Sequence, residues 1–380
     1  MTGSTLVKAA QKVAEVAAAH AAAGEAGRRL APEVAEAIVG AGFARHFVPA
    51  RWGGAEGNVT DSLLATAAVA EGDASAAWVA SIAASLGRMA CFLPEEGQRA
   101  VWGEGPDTFV ACALVPGGEA RAVDGGWRIS GLWPYLSGVH FSEWALVCCP
   151  VPVSGGGREV RFLLVPRSAY AIEDTWFPVG MRATGSDSLR LADVFVPYAF
   201  SFARAGLLAG RSDGPLPAAS AVPLKAVSAL SFAGPVLGAA KGALREFAAA
   251  VAAKRGAGAP GHRVSGTSEA AAELALARTA GEIDAAELLL RRAAAVADAG
   301  AIDERSLART CLDHALAVDM LAGAVNRLSP LAGTRSQSDG APFQRFWRDV
   351  NTAAGHTVLQ FEPAARTFAG LTLDPAAVAP

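Results

Sequence analysis

Charge of either sign is scarce in this sequence, and neither sign dominates. Its 380 residues carry 33 Lys and Arg against 36 Asp and Glu, a net charge of −3. With no basic field, nucleic acid and anionic membrane surfaces are not expected partners. The five cysteines are odd in number and include no Cys-x-x-Cys, which excludes a disulfide framework and points to a reducing, cytoplasmic compartment. The adjacent Cys148 and Cys149 lie in a strand-like run, where packing is their expected role. The six histidines (His20, His46, His140, His262, His314, His356) show no ligand spacing with cysteines or acids, so no metal centre is read. Absence of a Gly-x-Ser-x-Gly elbow and of a Walker loop argues against hydrolase and nucleotidase chemistry. Lys8, Lys12 and Glu15 interrupt the N-terminal apolar pattern, so no secretory signal is read. The longest uncharged run, Ala226 to Ala240, contains Gly234 and Pro235 and is too short to span a bilayer.

What is abundant is alanine, the main source of the 52% hydrophobic content, and alanine favours helices that pack closely. Three textures follow one another, and they set the expected domains at 1–106, 107–204 and 205–380. The first is helical: Asp61 is placed to cap Leu63–Glu71, Asp73 to cap the helix carrying Trp78, and Pro94-Glu95-Glu96 to open a short helix ending near Trp102. In the second, β-rich runs at Thr108–Leu114, Trp127–Leu132, Trp144–Val147, Val160–Val165 and Leu189–Val196 alternate with turn signals, with Asp124-Gly125-Gly126 as a hairpin. This reads as a small antiparallel β domain. After a Gly/Pro/Ser-rich connector (Ala205–Pro223), apolar stripes at Leu276, Ala280, Ile283, Leu290 and Ala294, and at Leu307, Cys311, His314, Val318, Leu321 and Val325, predict an antiparallel helical bundle. His314, within such a stripe, is expected to be a hydrogen-bonded core residue. The fold class is therefore α+β, mainly α.

Gly256-Ala-Gly258-Ala-Pro-Gly261 matches the dinucleotide fingerprint by letter, but a helix precedes it and Pro260 stands where one should open. A loop between helices is the better reading, and no nicotinamide site is evident. Two clusters remain. Trp133-Pro-Tyr135-Leu-Ser137-Gly138, followed by Ser142-Glu143-Trp144, is either β-domain core or a wall for a flat heteroaromatic with Ser137 at its edge. Gln344-Arg-Phe-Trp-Arg-Asp349, with His356 seven positions on, is either an ion-paired helix junction with a surface histidine or a built site.

With these clusters, the chain resembles the acyl-CoA dehydrogenase fold superfamily from about residue 5 to 370. More closely, it resembles the branch of two-component, reduced-flavin-dependent monooxygenases typified by p-hydroxyphenylacetate hydroxylase and dibenzothiophene monooxygenase. Cys112-Ala-Leu114-Val-Pro-Gly-Gly118 stands where the dehydrogenases have their flavin loop, and Tyr135 and Ser137 where they have the Trp and Thr that contact the flavin ring. Arg263 resembles an arginine that reaches a flavin phosphate, often in a neighbouring subunit. The resemblance implies cofactor contacts from Cys112, Leu114, Trp133, Tyr135, Ser137, Gly138 and Arg263, and catalytic roles for His356 and Ser137. It also implies reduced FMN or FAD delivered by a separate reductase, a C4a-hydroperoxyflavin formed with O2, a small aromatic or heteroaromatic substrate, and a homotetramer or homodimer. Ser137 would sit near flavin N5, and His356 would act as a general acid–base group.

Two departures refine the expectation. Many acyl-CoA dehydrogenases place a glutamate base where His356 stands, and the nearest acid here is Glu362. Without that base, thioester dehydrogenation loses its proton acceptor, and a dehydrogenase-like flavoenzyme that uses another base is the alternative reading. Phenol hydroxylases of the branch usually have a histidine in the helix after Trp78, and none occurs between Trp78 and Pro94. Either another group activates a phenol, or the substrate is an indole-like ring or a sulfur or nitrogen centre.

Overall fold

The computed structural model describes residues 5–153, 155–256 and 266–373. Five helices come first: α1 (Thr5–Gly27), α2 (Pro32–Gly40), α3 (Val59–Ala70), α4 (Ala74–Ala90) and α5 (Glu95–Trp102). Asp73 caps α4 as expected, its Oδ1 accepting from Ala76 N–H at 2.7 Å. The cap of α3 is Asn58 and not Asp61: Asn58 Oδ1 accepts the Asp61 N–H at 2.7 Å. Asp61 thus falls in the first turn, where its charge suits the positive helix end. Pro94 stands one position before α5 rather than at its first residue.

Eight strands follow: β1 (Val110–Ala113), β2 (Glu119–Val123), β3 (Gly126–Leu136), β4 (Trp144–Pro152), β5 (Arg158–Pro166), β6 (Ala171–Glu173), β7 (Asp187–Pro197) and β8 (Ser201–Ala203). They form two four-stranded sheets, ordered β1-β4-β5-β8 and β2-β3-β7-β6. Pairing is antiparallel except for β1, which runs parallel to β4 as the edge strand, a correction to the all-antiparallel expectation. The hairpin is where Asp124-Gly125 predicts it, with Val123 opposite Gly126. Cys148 and Cys149 are both fully buried on successive positions of β4. Cys149 packs between the sheets and Cys148 toward the helices. Burial pushes both thiols up to about 11, which keeps them protonated and inert.

The remaining helices are α6 (Arg204–Ala209), α7 (Leu224–Gly256), α8 (Gly266–Ala299), α9 (Glu304–Ala332), α10 (Pro342–Ala354) and α11 (Phe361–Leu373). The connector after residue 204 is thus partly helical. By length and composition α7 could cross a membrane, but 78% of its apolar window is buried inside the protein. It is the axis of the core. Gly234, Gly238 and Gly242 recur every fourth residue along it, so they share a face. A Cβ on Gly238 would lie 1.9 Å from the Ala67 carbonyl oxygen of α3, and one on Gly242 would lie 2.6 Å from the Phe346 ring of α10. α3 therefore approaches α7 at backbone distance, and the Phe346 ring of α10 packs directly on the α7 backbone.

The junction between α10 and the β sheets is polar and buried. Asp349 accepts the Met181 N–H at 2.5 Å, Arg348 donates to the Val179 carbonyl at 2.6 Å, and Arg348 also pairs with Glu25 of α1. Arg345 lies 4.0 Å from buried Asp73. Burial, then the neighbouring Asp73, pushes the Asp349 carboxyl up to about 7. Asp73 is likewise raised by burial. His314 is in the core as expected, but both its ring nitrogens lack a hydrogen-bond partner. Burial lowers the ring to about 4.

Three outcomes follow. Gly238→Ala forces α3 and α7 apart and is expected to cost about 1–3 kcal/mol in denaturant unfolding. In Asp349, the folded carboxyl keeps its proton to about pH 7 while the unfolded one releases it near 3.8. That residue's contribution therefore declines as pH rises across this window, and Asp349→Asn should remove that decline. For His314 the sign reverses: the unfolded ring takes a proton below 6.5, the folded one only near 4, so stability is lost as pH falls. His314→Leu should flatten that loss and raise the midpoint at pH 5; an unchanged acid slope would exclude this role.

Candidate active site

The first wall of the site comes from a fault in β3. Its pairing with β7 slips between Trp133 and Leu136, and Tyr135 adopts φ +67°, a left-handed conformation that breaks strand alternation. Trp133 consequently points between the sheets, 1% exposed, with Nε1 donating to the Cys148 carbonyl at 2.9 Å. Tyr135 turns outward, 70% exposed, beside Trp176 at a ring separation of 6.2 Å. Ser137 follows, nearly buried. Gly138 then turns the chain at φ +71°, where a Cβ would meet the Phe109 ring at 2.8 Å.

Beyond this wall lies a cavity of about 540 Å³. Cys112, Leu114, Tyr135, Ser137 and His356 all line it, although they come from three separate stretches of chain. Trp133 and Gly138 do not line it; they shape the strand behind it. Arg263 lies outside the described residues. At the far side, α10 delivers His356 just past its C-terminal end, where the imidazole stacks on Phe232 of α7 at 4.3 Å. Phe232 in turn lies 4.6 Å from the Trp78 ring of α4, and Trp78 lies 5.8 Å from His356. His356 Nδ1 accepts the Val358 N–H at 3.4 Å. In the neutral ring that leaves Nε2–H as the donor. Burial lowers the His356 pKa below its ordinary 6.5, so the ring is neutral at pH 7.

Hydroxyls link the two walls. Trp78 Nε1–H donates to Ser137 Oγ at 3.1 Å. Ser137 Oγ lies 2.7 Å from Ser186 Oγ, which lies 2.7 Å from Thr184 Oγ1. Thr184 Oγ1–H donates to the Met181 carbonyl at 2.8 Å. Where the helix after Trp78 lacks a histidine, Ser85 faces the cavity, its Oγ 2.8 Å from Ser231 Oγ of α7. Among the described lining residues the permanent cation is Arg88. Its guanidinium is turned away, donating to the carbonyls of Ala219 and Val222, each at 2.6 Å. Burial lowers it to about 10, so it stays charged. Glu362 lies on α11, solvent-exposed and paired with Arg366, and contributes no carboxylate base to the cavity.

The arrangement fits a flat heteroaromatic cofactor. One wall is aromatic, Ser137 presents an oxygen, and β1 is an edge strand with half its backbone groups unused by the sheet. Of the residues that carry this arrangement, Trp78, Phe232, Thr184, Ser186 and Ser85 are not singled out as site residues by sequence. Trp78 and Phe232 read as core positions, and single hydroxyl residues have no local signature.

Comparison with known proteins agrees. Residues 230–361 match the acyl-CoA dehydrogenase, C-terminal domain family. The oxygenase component of the FADH(2)-dependent resorcinol hydroxylase of Rhizobium sp. (strain MTP-10005) is 33% identical over 371 residues, covering 92% of this chain and 89% of that protein. Among solved structures, XiaF from Streptomyces sp. in complex with FADH2 and glycerol superposes with TM-score 0.86 at 30% identity, over 99% of this chain and 96% of that one. The HsaA monooxygenase from M. tuberculosis superposes with TM-score 0.87 at 29% identity, over 96% of each chain. The chain belongs to the oxygenase components of two-component, reduced-flavin-dependent monooxygenases, on the acyl-CoA dehydrogenase fold.

Proposed function

We propose that Tyr135, Ser137 and the segment Cys112–Leu114 hold the reduced flavin, and that an uncharged aromatic substrate enters beside Ile82, Ser85 and Ser231 under His356. The observation that carries this reading is that Ser137 and His356 face one cavity across the Trp78–Phe232 pair. When bound, the reduced flavin supplies the electrons that activate O2. The chain's own residues do the rest. The apolar walls exclude water, which preserves reactive species. His356, neutral with Nε2–H available, donates to an oxygen placed beneath it and can pass that proton on as a general acid. Ser85 and Ser231 share one hydrogen bond, so one O–H of the pair remains to meet a substrate hydroxyl or to stand against a ring N–H as acceptor. With Arg88 committed to carbonyls, no cation among the described lining residues awaits a carboxylate, which favours uncharged substrates.

A homotetramer or homodimer is part of the same proposal, supported by Leu274 and Leu288 exposed on α8 and by α11, which buries none of its residues within the chain. Five free cysteines support a cytoplasmic location.

Anaerobic titration with reduced FMN and FAD, followed by an oxygen pulse with substrate, tests the site. His356→Ala should lower coupled product formation by roughly 10²-fold or more while flavin affinity stays near wild type. The wild-type acid limb should lie below pH 6.5, in keeping with the lowered imidazole. Unchanged coupled turnover in the variant would remove His356 from the chemistry.

A further inference from the structure

The hydroxyl chain behind Ser137 has one direction. An indole N–H only donates, so Ser137 Oγ accepts from Trp78. At the other end, the single hydroxyl proton of Thr184 goes to the Met181 carbonyl. Thr184 Oγ1 must therefore accept from Ser186, whose one proton is then spent. Ser186 Oγ must in turn accept from Ser137. The proton of Ser137 is committed to Ser186, and what Ser137 has left for a ligand is its remaining lone pair. A group that meets Ser137 there has to be a hydrogen-bond donor.

Resting on the reading that the cavity holds flavin, we propose that Ser186 and Thr184 are positioning residues that fix Ser137 as an acceptor and so make the site selective for reduced over oxidised flavin. Flavin N5 carries a hydrogen when reduced and a lone pair when oxidised. Against an acceptor-only Ser137, the reduced ring gains a hydrogen bond and the oxidised ring meets two opposed lone pairs. The far end of the chain is anchored independently of any ligand. The Met181 carbonyl also accepts from Trp176 Nε1 at 3.1 Å, and the Met181 N–H is held by Asp349. Both lone pairs of that carbonyl are engaged, so the direction of the chain is built into the protein.

The test is the ratio of dissociation constants for oxidised and reduced FMN or FAD, measured by equilibrium titration without substrate or oxygen. Wild type should favour the reduced form. Ser186→Ala removes the acceptor for the Ser137 proton, frees it to donate into the cavity, and should lower the ratio by roughly tenfold. Thr184→Val leaves Ser186 free to reverse and should act in the same direction, while Thr184→Ser should restore the wild-type ratio. The midpoint potential of the bound flavin should fall by about 30 mV per tenfold loss. Variants that weaken both redox states equally, or a wild type without preference, would overturn the inference and leave the flavin site standing. A wild type that binds neither form of flavin would overturn the site itself.

Discussion

Met181 is gripped from both sides of its peptide, and much of the site depends on that grip. Asp349 of α10 takes its N–H, and its carbonyl takes Trp176 Nε1–H and Thr184 Oγ1–H. The residue sits at φ +57°, a conformation that a methionine holds only when its surroundings impose it. Through this one residue the segment that carries Thr184 and Ser186 is fastened to the helix that ends at His356. The proposed cofactor wall and the His356 imidazole are therefore positioned by the same junction. The Arg and Asp side chains within α10 have a physical purpose in this light. Asp349 orders the loop while Arg348 ties the same loop, at Val179, to α1.

The second constraint is distance between backbones. Gly238 lets α3 close on α7 and Gly242 seats the Phe346 ring of α10, while Phe232, about two to three turns earlier on the same helix, packs against His356 and Trp78. Bulkier residues there would open the ring cluster by moving whole helices, because a packed interior transmits such shifts instead of absorbing them.

These two constraints explain what the sequence discloses and what it hides. Alternating texture separates helical from β-rich stretches, and the resemblance at Tyr135–Ser137 and Arg345–His356 leads to residues that do meet in one cavity. The exposed, charged β2 and the three-residue β6 and β8 have too little apolar pattern to be seen. Trp133 is misread as a wall residue because a bulge, invisible in composition, lies between it and Tyr135. His314 is expected to find a hydrogen-bond partner, as buried polar groups mostly do, and its ring nitrogens have none. The hydroxyl chain is hidden for a deeper reason. Ser137, Thr184 and Ser186 are brought together by pairing β3 with the segment before β7, and no local pattern encodes which hydroxyl donates to which.

Polarity inside the cavity is rationed accordingly. The Ser137 chain ends on a saturated carbonyl, Arg88 is consumed by backbone oxygens, and the raised carboxyl of Asp349 faces the junction. Among the described lining residues, His356 is then the imidazole that faces the cavity, and burial favours its neutral form. A neutral imidazole carries no standing cost of a buried charge, and its hydrogen bond gains strength from the low dielectric around it. A glutamate in the same position would keep a buried anion next to an electron-rich reduced cofactor. On the proposed reading, a histidine at position 356 in place of a carboxylate therefore changes the electrostatics of the cavity along with its proton chemistry.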